Sequence, residues 1–164
     1  MRIIGIDPGL HITGYGVLDF DGENVRVVEA GVIRTNRNDA IELRLKEISA
    51  ELKVILDQLK PDAIAVEDLY SHYGHPKTAI IMGHARGMIF LEAAEAGLEV
   101  YPYASTRIKK SLTGNGRAPK RQMQLMITST LGLSQVPEPP DVADALAVAL
   151  CHCRVQTHGY AEAM

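Results

Sequence analysis

At 164 residues, with 46% hydrophobic and 23% charged side chains, the chain has the size and make-up of one globular domain, able to bury a core without disulfides or metal clips. No apolar run reaches the roughly 18 residues of a membrane span, and the N-terminus enters a strand-like segment directly, without the layout of a secretion signal. A net charge of −3 argues against a protein that holds nucleic acid through bulk charge.

Residues 2–7 run β-branched side chains into Asp7 and a Pro8-Gly9 turn, and residues 13–19 and 25–33 alternate in the same way around Asp21-Gly22. Short turns between consecutive strands predict an antiparallel meander. A helix is expected over 39–59. Asp39 and Glu42 have capping-box spacing, and Ile41, Leu45, Ile48, Leu52, Ile55 and Leu59 keep a helical period until Lys60-Pro61 stops it. Residues 62–67 are apolar up to Glu67, which predicts an interior strand. From Pro76 to Gly97 a second helix is apolar nearly all round and so must be covered on two sides, with Gly83 and Gly87 allowing close backbone approach. A short strand at 99–103, a basic helical turn at 105–112, the loop Gly114-Asn115-Gly116 and a helix over 119–131 follow. A proline-rich connector then leads into the last helix, Asp141 to Val155. Residues 1–155 are expected to form a single domain, with a frayed tail over 156–164.

Cys151 and Cys153 stand two apart in that last helix and point to different faces, so they should not pair. His152 between them gives the look of a metal site, but buried reduced thiols in an apolar helix fit better, and they suit a cytoplasmic protein. Charge is distributed unevenly. Between Val100 and Pro137 there is no acid, while Arg107, Lys109, Lys110, Arg117, Lys120 and Arg121 all fall there, leaving the rest strongly acidic. A solvated helix face usually mixes in glutamates, so this stretch is read as a phosphate-tracking surface.

Four acids carry the chemistry. Asp7 and Glu67 end two strands, and Asp141 and Asp144 open a helix. Singly, each has an ordinary explanation as turn former, solvated strand end or helix cap. Together they occupy places able to converge, and the i,i+3 pair shares one helix face with side chains roughly 5–6 Å apart. Clustered carboxylates repel without a cation, and hard oxygen ligands suit Mg²⁺ or Mn²⁺. Two such ions hydrolyse phosphodiesters by activating water and stabilising the leaving oxygen, so these residues point to a metal-dependent nuclease.

The element order predicts an α/β fold of ribonuclease H-like architecture: a five-stranded mixed sheet, three strands antiparallel and two parallel, with helices on both faces. Within that architecture the chain resembles the RuvC family of Holliday junction resolvases, over nearly its whole length to residue 155. The matching stretches are Gly5-Ile6-Asp7-Pro8-Gly9 with Thr13-Gly14-Tyr15-Gly16, Ala65-Val66-Glu67, Gly83-His84-Ala85-Arg86-Gly87, Lys109 with Lys120, and Asp141-Val142-Ala143-Asp144-Ala145-Leu146-Ala147. Gly-Ile-Asp-Pro-Gly alone is shared by several ribonuclease H-like groups, whereas all of these in this order are specific.

The resemblance implies a homodimeric, Mg²⁺-dependent endonuclease of DNA recombination and repair. Such an enzyme cuts two opposed strands of a four-way junction and works with the branch-migration proteins RuvA and RuvB. The family's catalytic and metal-binding acids map onto Asp7, Glu67, Asp141 and Asp144. Asp7, on the central strand, is best placed to bridge two ions, with Glu67 holding one and Asp144 the other. Asp141 either completes that second site or positions the attacking water. Products with 5′-phosphate and 3′-hydroxyl ends follow. Lys109 and Lys120 match family lysines near the cut phosphate, where they offset charge that the metals leave unpaired. Tyr70 stands where the family carries an aromatic that wedges into the junction, and residues 71–77 depart from the Asn-containing family pattern there.

Three rivals remain. An actin/Hsp70-like phosphotransferase also begins with a strand, an acid and a Gly turn, but needs two such domains. A ribonuclease H-like relative acting on RNA is disfavoured by the Asp-x-x-Asp pair and the two lysines. A catalytically silent junction-binding module is disfavoured because all four acids are present.

Overall fold

A computed structural model describes residues 1–69 and 76–158. Strands β1 (Arg2–Asp7), β2 (Ile12–Phe20), β3 (Val25–Arg34), β4 (Ala63–Glu67) and β5 (Glu99–Tyr103) form one sheet of order β3-β2-β1-β4-β5. The first three pair antiparallel, and β4 and β5 add in parallel, so the expected mixed sheet is present with β1 at its centre.

Alternation along the strands sorts the core into two layers. Ile4, Ile6, Val17, Ile64 and Val66 meet α1 (Ile41–Leu59) and α2 (Pro76–Glu95) through Ile48, Leu52 and Ile89. On the other face Ile3, Leu18 and Ala65 meet α3 (Ser105–Thr113), α4 (Lys120–Thr130) and α5 (Pro140–His158) through Ile108, Ile127, Leu146 and Leu150. Burial from both sides explains why β4 carries no polar residue before Glu67.

α5 lies directly on β1 and β2, and two glycines make that possible. A Cβ on Gly5 would stand 2.3 Å from the Ala145 carbonyl oxygen, and one on Gly14 2.2 Å from that of Asp141. Both neighbours are backbone, which cannot swing aside, so bare Cα atoms are required for the helix to settle this low.

Several local expectations are corrected. No capping box forms at α1. The Asp39 carboxylate accepts from Asn36 Nδ2 at 3.3 Å in the preceding turn, and the helix begins past it, with Ala40 as an N-cap that supplies no side chain. The basic segment after β5 is a full nine-residue helix rather than a turn. α5 continues past Val155 to His158. On α2, Ala85 is fully buried against the sheet and α1, whereas Ile80, Ile81, Phe90 and Leu91 remain exposed, so only one side of this apolar helix is covered by its own chain.

Cys151 and Cys153 are buried and free, as expected. His152 is fully buried between them, its Nδ1 2.7 Å from the Tyr103 hydroxyl and its ring 4.4 Å from that of Tyr101. Burial pulls its pKa from 6.5 down to about 4, against a weak opposing pull from Glu99. Between those values the unfolded chain binds a proton that the folded chain refuses. Stability must therefore fall as the pH drops from 6.5 towards 4, by on the order of 3 kcal/mol. Urea unfolding at pH 7 and pH 4.5 checks this, and a folded His152→Gln variant is expected to lose that part of the pH dependence.

Candidate active site

β1 and β4 are parallel neighbours with Ile6 level with Val66, so their next residues, Asp7 and Glu67, leave the sheet side by side. Asp7 also pairs across β2 with Gly14, the residue on which the Asp141 backbone rests. The glycine seat thus sets the start of α5 over the end of β1, and the helical i,i+3 spacing turns Asp141 and Asp144 to one side. All four acids come together at the carboxyl end of the central strands, each partly buried.

The field there is strongly negative. Asp7 is pushed from 3.8 up to about 8, first by burial and then by Glu67, Asp144 and Asp141, with Lys120 pulling the other way. Burial likewise raises Glu67, opposed by a hydrogen bond from Ser105 and by Lys109 and Lys120. Lys120 Nζ lies 2.9 Å from Asp144 Oδ2, and that bond, more than any other influence, raises the lysine's own pKa. A lysine in the first turn of α4 is unfavourable for the helix dipole, so the acids facing it account for its position.

Glu67, Ser105, Ile108, Lys109, Lys120, Met123, Asp144 and Ala147 line a cleft of about 210 Å³ beside the acids. A water takes about 30 Å³, so the cleft has room for a phosphate group and a few waters. Among the described residues no three acids close around a single point as they stand. One of the four, Asp144, pairs with Lys120 instead. The donor set still fits a hard divalent cation: it offers only carboxylate oxygens, and it holds an Asp7 carboxyl that added positive charge would return to its ionised form.

Of the basic stretch, Lys110, Arg117, Lys120 and Arg121 are exposed, and Lys109 faces the cleft half-buried. Arg107 is the exception, with its guanidinium 5.1 Å over the Tyr103 ring and its Nη2 buried. Tyr70 and residues 71–75 lie outside the described residues. Ser105 was not anticipated. Its signal was positional: it follows β5, whose parallel pairing with β4 puts Tyr103 level with Glu67.

The family model for crossover junction endodeoxyribonuclease RuvC matches residues 3–152. A crossover junction endodeoxyribonuclease RuvC of Rhodopirellula baltica is 52% identical over 91% of this chain and 84% of its own. The Thermus thermophilus RuvC structure superposes with a TM-score of 0.88 at 34% identity, covering 97% of both chains. T. thermophilus RuvC in complex with Holliday junction substrate gives the same TM-score at 32% identity, again over 97% of both. A mixed sheet that gathers acids and lysines at the carboxyl ends of its central strands defines a ribonuclease H-like nuclease. This chain belongs to the RuvC family of crossover junction endodeoxyribonucleases.

Proposed function

We propose that the chain resolves four-way DNA junctions by metal-assisted hydrolysis, nicking two opposed strands to leave 5′-phosphate and 3′-hydroxyl ends. The observation that carries this is the Asp7 carboxyl, raised to about 8 by burial and then by three neighbouring acids, beside a lysine-lined cleft in a chain of this family. Asp7, Glu67, Asp141 and Asp144 would hold two Mg²⁺ ions, with Mn²⁺ as a substitute. Bound there, the metal supplies an activated water and a counter-charge for the leaving oxygen.

The side chains do the rest. Asp7, from the central strand, is coupled to the other three acids and would be shared between the ions. Glu67 is held by the Ser105 hydroxyl, and Glu67 and Asp144 both act on Asp7. Lys109 and Lys120 face the same cleft and would neutralise the phosphate as charge grows on it. Lys120→Ala should lower cleavage about 100-fold and reduce the salt dependence of binding by about one phosphate contact. A fully active Lys120→Ala protein would remove this role. Tyr70 is proposed to contact the junction, as the family resemblance implies.

Two symmetric cuts require two sites, hence a homodimer with two-fold symmetry. The uncovered side of α2 is the proposed contact: Ile80 is 61% exposed and Leu91 48%, with His84 and Gly87 between them at helical spacing. Ala85 faces inward, so a charge there would test folding rather than assembly. Leu91→Glu should leave circular dichroism unchanged while light scattering shows a monomer. A variant that stays dimeric would place the interface elsewhere. Cooperation with RuvA and RuvB and a cytoplasmic setting belong to this same reading. Among the described residues no helix is long and apolar enough to cross a membrane.

One experiment separates the alternatives. With Mg²⁺, the protein is offered a mobile four-way junction, linear duplex and an RNA–DNA hybrid. Paired cutting of the junction alone, stopped by EDTA and restored by Mn²⁺, is the expected result. Preferential cutting of the hybrid would favour an RNA-directed nuclease, and tight junction binding without cutting would favour a silent module.

A further inference from the structure

We propose that Arg86 is a positioning residue for Glu67, acting through Asp68. The inference rests on the reading of Glu67 as a metal ligand. Asp68 is the first residue beyond β4, and its N–H donates to the Tyr103 carbonyl at 2.8 Å, which ties the strand end to β5. Its carboxylate accepts from Arg86 Nη2 of α2 at 2.5 Å. Leu69 lies beside the same helix, its Cδ1 3.9 Å from where a Gly83 Cβ would stand. The residue after Glu67 is therefore tied to α2, with Leu69 beside the same face, and a shift of that helix reaches Glu67 through one adjoining residue.

Exposed ion pairs contribute little, because water competes for both partners. This one differs. The Arg86 side chain is only 17% exposed, its guanidinium sits 4.5 Å over the Phe90 ring, and its Nε is buried without a hydrogen-bond partner. Asp68 is the only carboxylate paired with it among the described residues, so the guanidinium has one anchor and the anchor adjoins the site. Lysine could supply the charge but not the planar group that stacks on Phe90 while reaching Asp68. Removing a group that orients a metal ligand from behind commonly costs roughly 10–100-fold in metal affinity or activity.

The test uses the full chain with Arg86→Ala, Asp68→Asn, and the exchanged pair Asp68→Arg with Arg86→Asp. The readouts are single-turnover cleavage at saturating junction, the Mn²⁺ concentration giving half-maximal rate, junction affinity, and circular dichroism. Arg86→Ala and Asp68→Asn are expected to slow cleavage and raise the Mn²⁺ midpoint about tenfold each, with junction affinity unchanged. The exchanged pair should recover most of both losses. Wild-type rates and midpoints in the folded single variants would overturn the proposal, as would an exchanged pair no better than Arg86→Ala. If Arg86→Ala does not fold, Asp68→Asn decides. A wild-type protein that cuts no junction would count against the broader reading. Calorimetric Mn²⁺ binding without DNA would then still decide whether Arg86 positions Glu67.

Discussion

Replacing Asp7 with asparagine is expected to reduce junction cleavage by about a thousandfold or more while leaving junction binding intact. A carboxamide is a far poorer ligand for a hard divalent ion than a carboxylate, and Asp7 is the acid that faces all three others. Glu67→Gln and Asp144→Asn should behave alike, and retained cleavage in any of the three would remove that residue from the site. The metal-free protein offers a second readout. The folded-state pKa of Asp7 is raised from 3.8 to about 8, so stability that is fully present below the lower value is lost as the pH rises to the upper one. Asparagine cannot ionise, so Asp7→Asn should be the more stable protein at pH 8 without metal. Added Mg²⁺ should stabilise the wild type and not the variant. Equal stability of the two at pH 8 would mean that Asp7 does not feel its neighbours as described.

Gly14→Ala should also damage cleavage severely, although it removes no functional group. The added methyl carbon would lie 2.2 Å from the Asp141 carbonyl oxygen and 3.2 Å from that residue's Cβ. Either α5 lifts from β2 or the strand bends away, and both move Asp141 relative to Asp7. Overpacking of this kind should lower the melting temperature by on the order of 5 °C. A displacement near 1 Å at the reacting groups should cost about 100-fold in rate. Thermal unfolding and single-turnover cleavage of the one variant check both. Wild-type kinetics in Gly14→Ala would mean that the helix seat does not set the acid geometry.

The difference between those two substitutions shows what could be read from the residues alone. Asp7 and Glu67 were legible because each ends an apolar run whose period predicts a strand, and a strand end is a place where acids can meet. Asp141 and Asp144 were legible because three residues of helix return a side chain to the same face. The glycine seat was visible only as motif letters. Its cause is a distance between β1, β2 and a helix more than a hundred residues later, and no local period encodes it. Arg107 was grouped with its basic neighbours because charge is read by proximity in sequence, whereas its ring partner Tyr103 turns it inward. The Asp39 cap failed because Asn36 competed for the same carboxylate. Apolar content announced that α2 needed two covers but not which residues faced which. Ala85 went to the core and Ile80 to the outside.

The seating of the last helix on the first strand also bears on how the protein is made. Asp7 leaves the ribosome before the neighbouring strand β4 and the covering helix α5 exist. Synthesis proceeds from the N-terminus, so every partial chain that stops short of Pro140 lacks Asp141, Asp144 and the helix that closes one face of the sheet. A half-built copy therefore holds two of the four acids on an unfinished sheet. An activity that severs DNA strands is withheld from each molecule until α5 has been made.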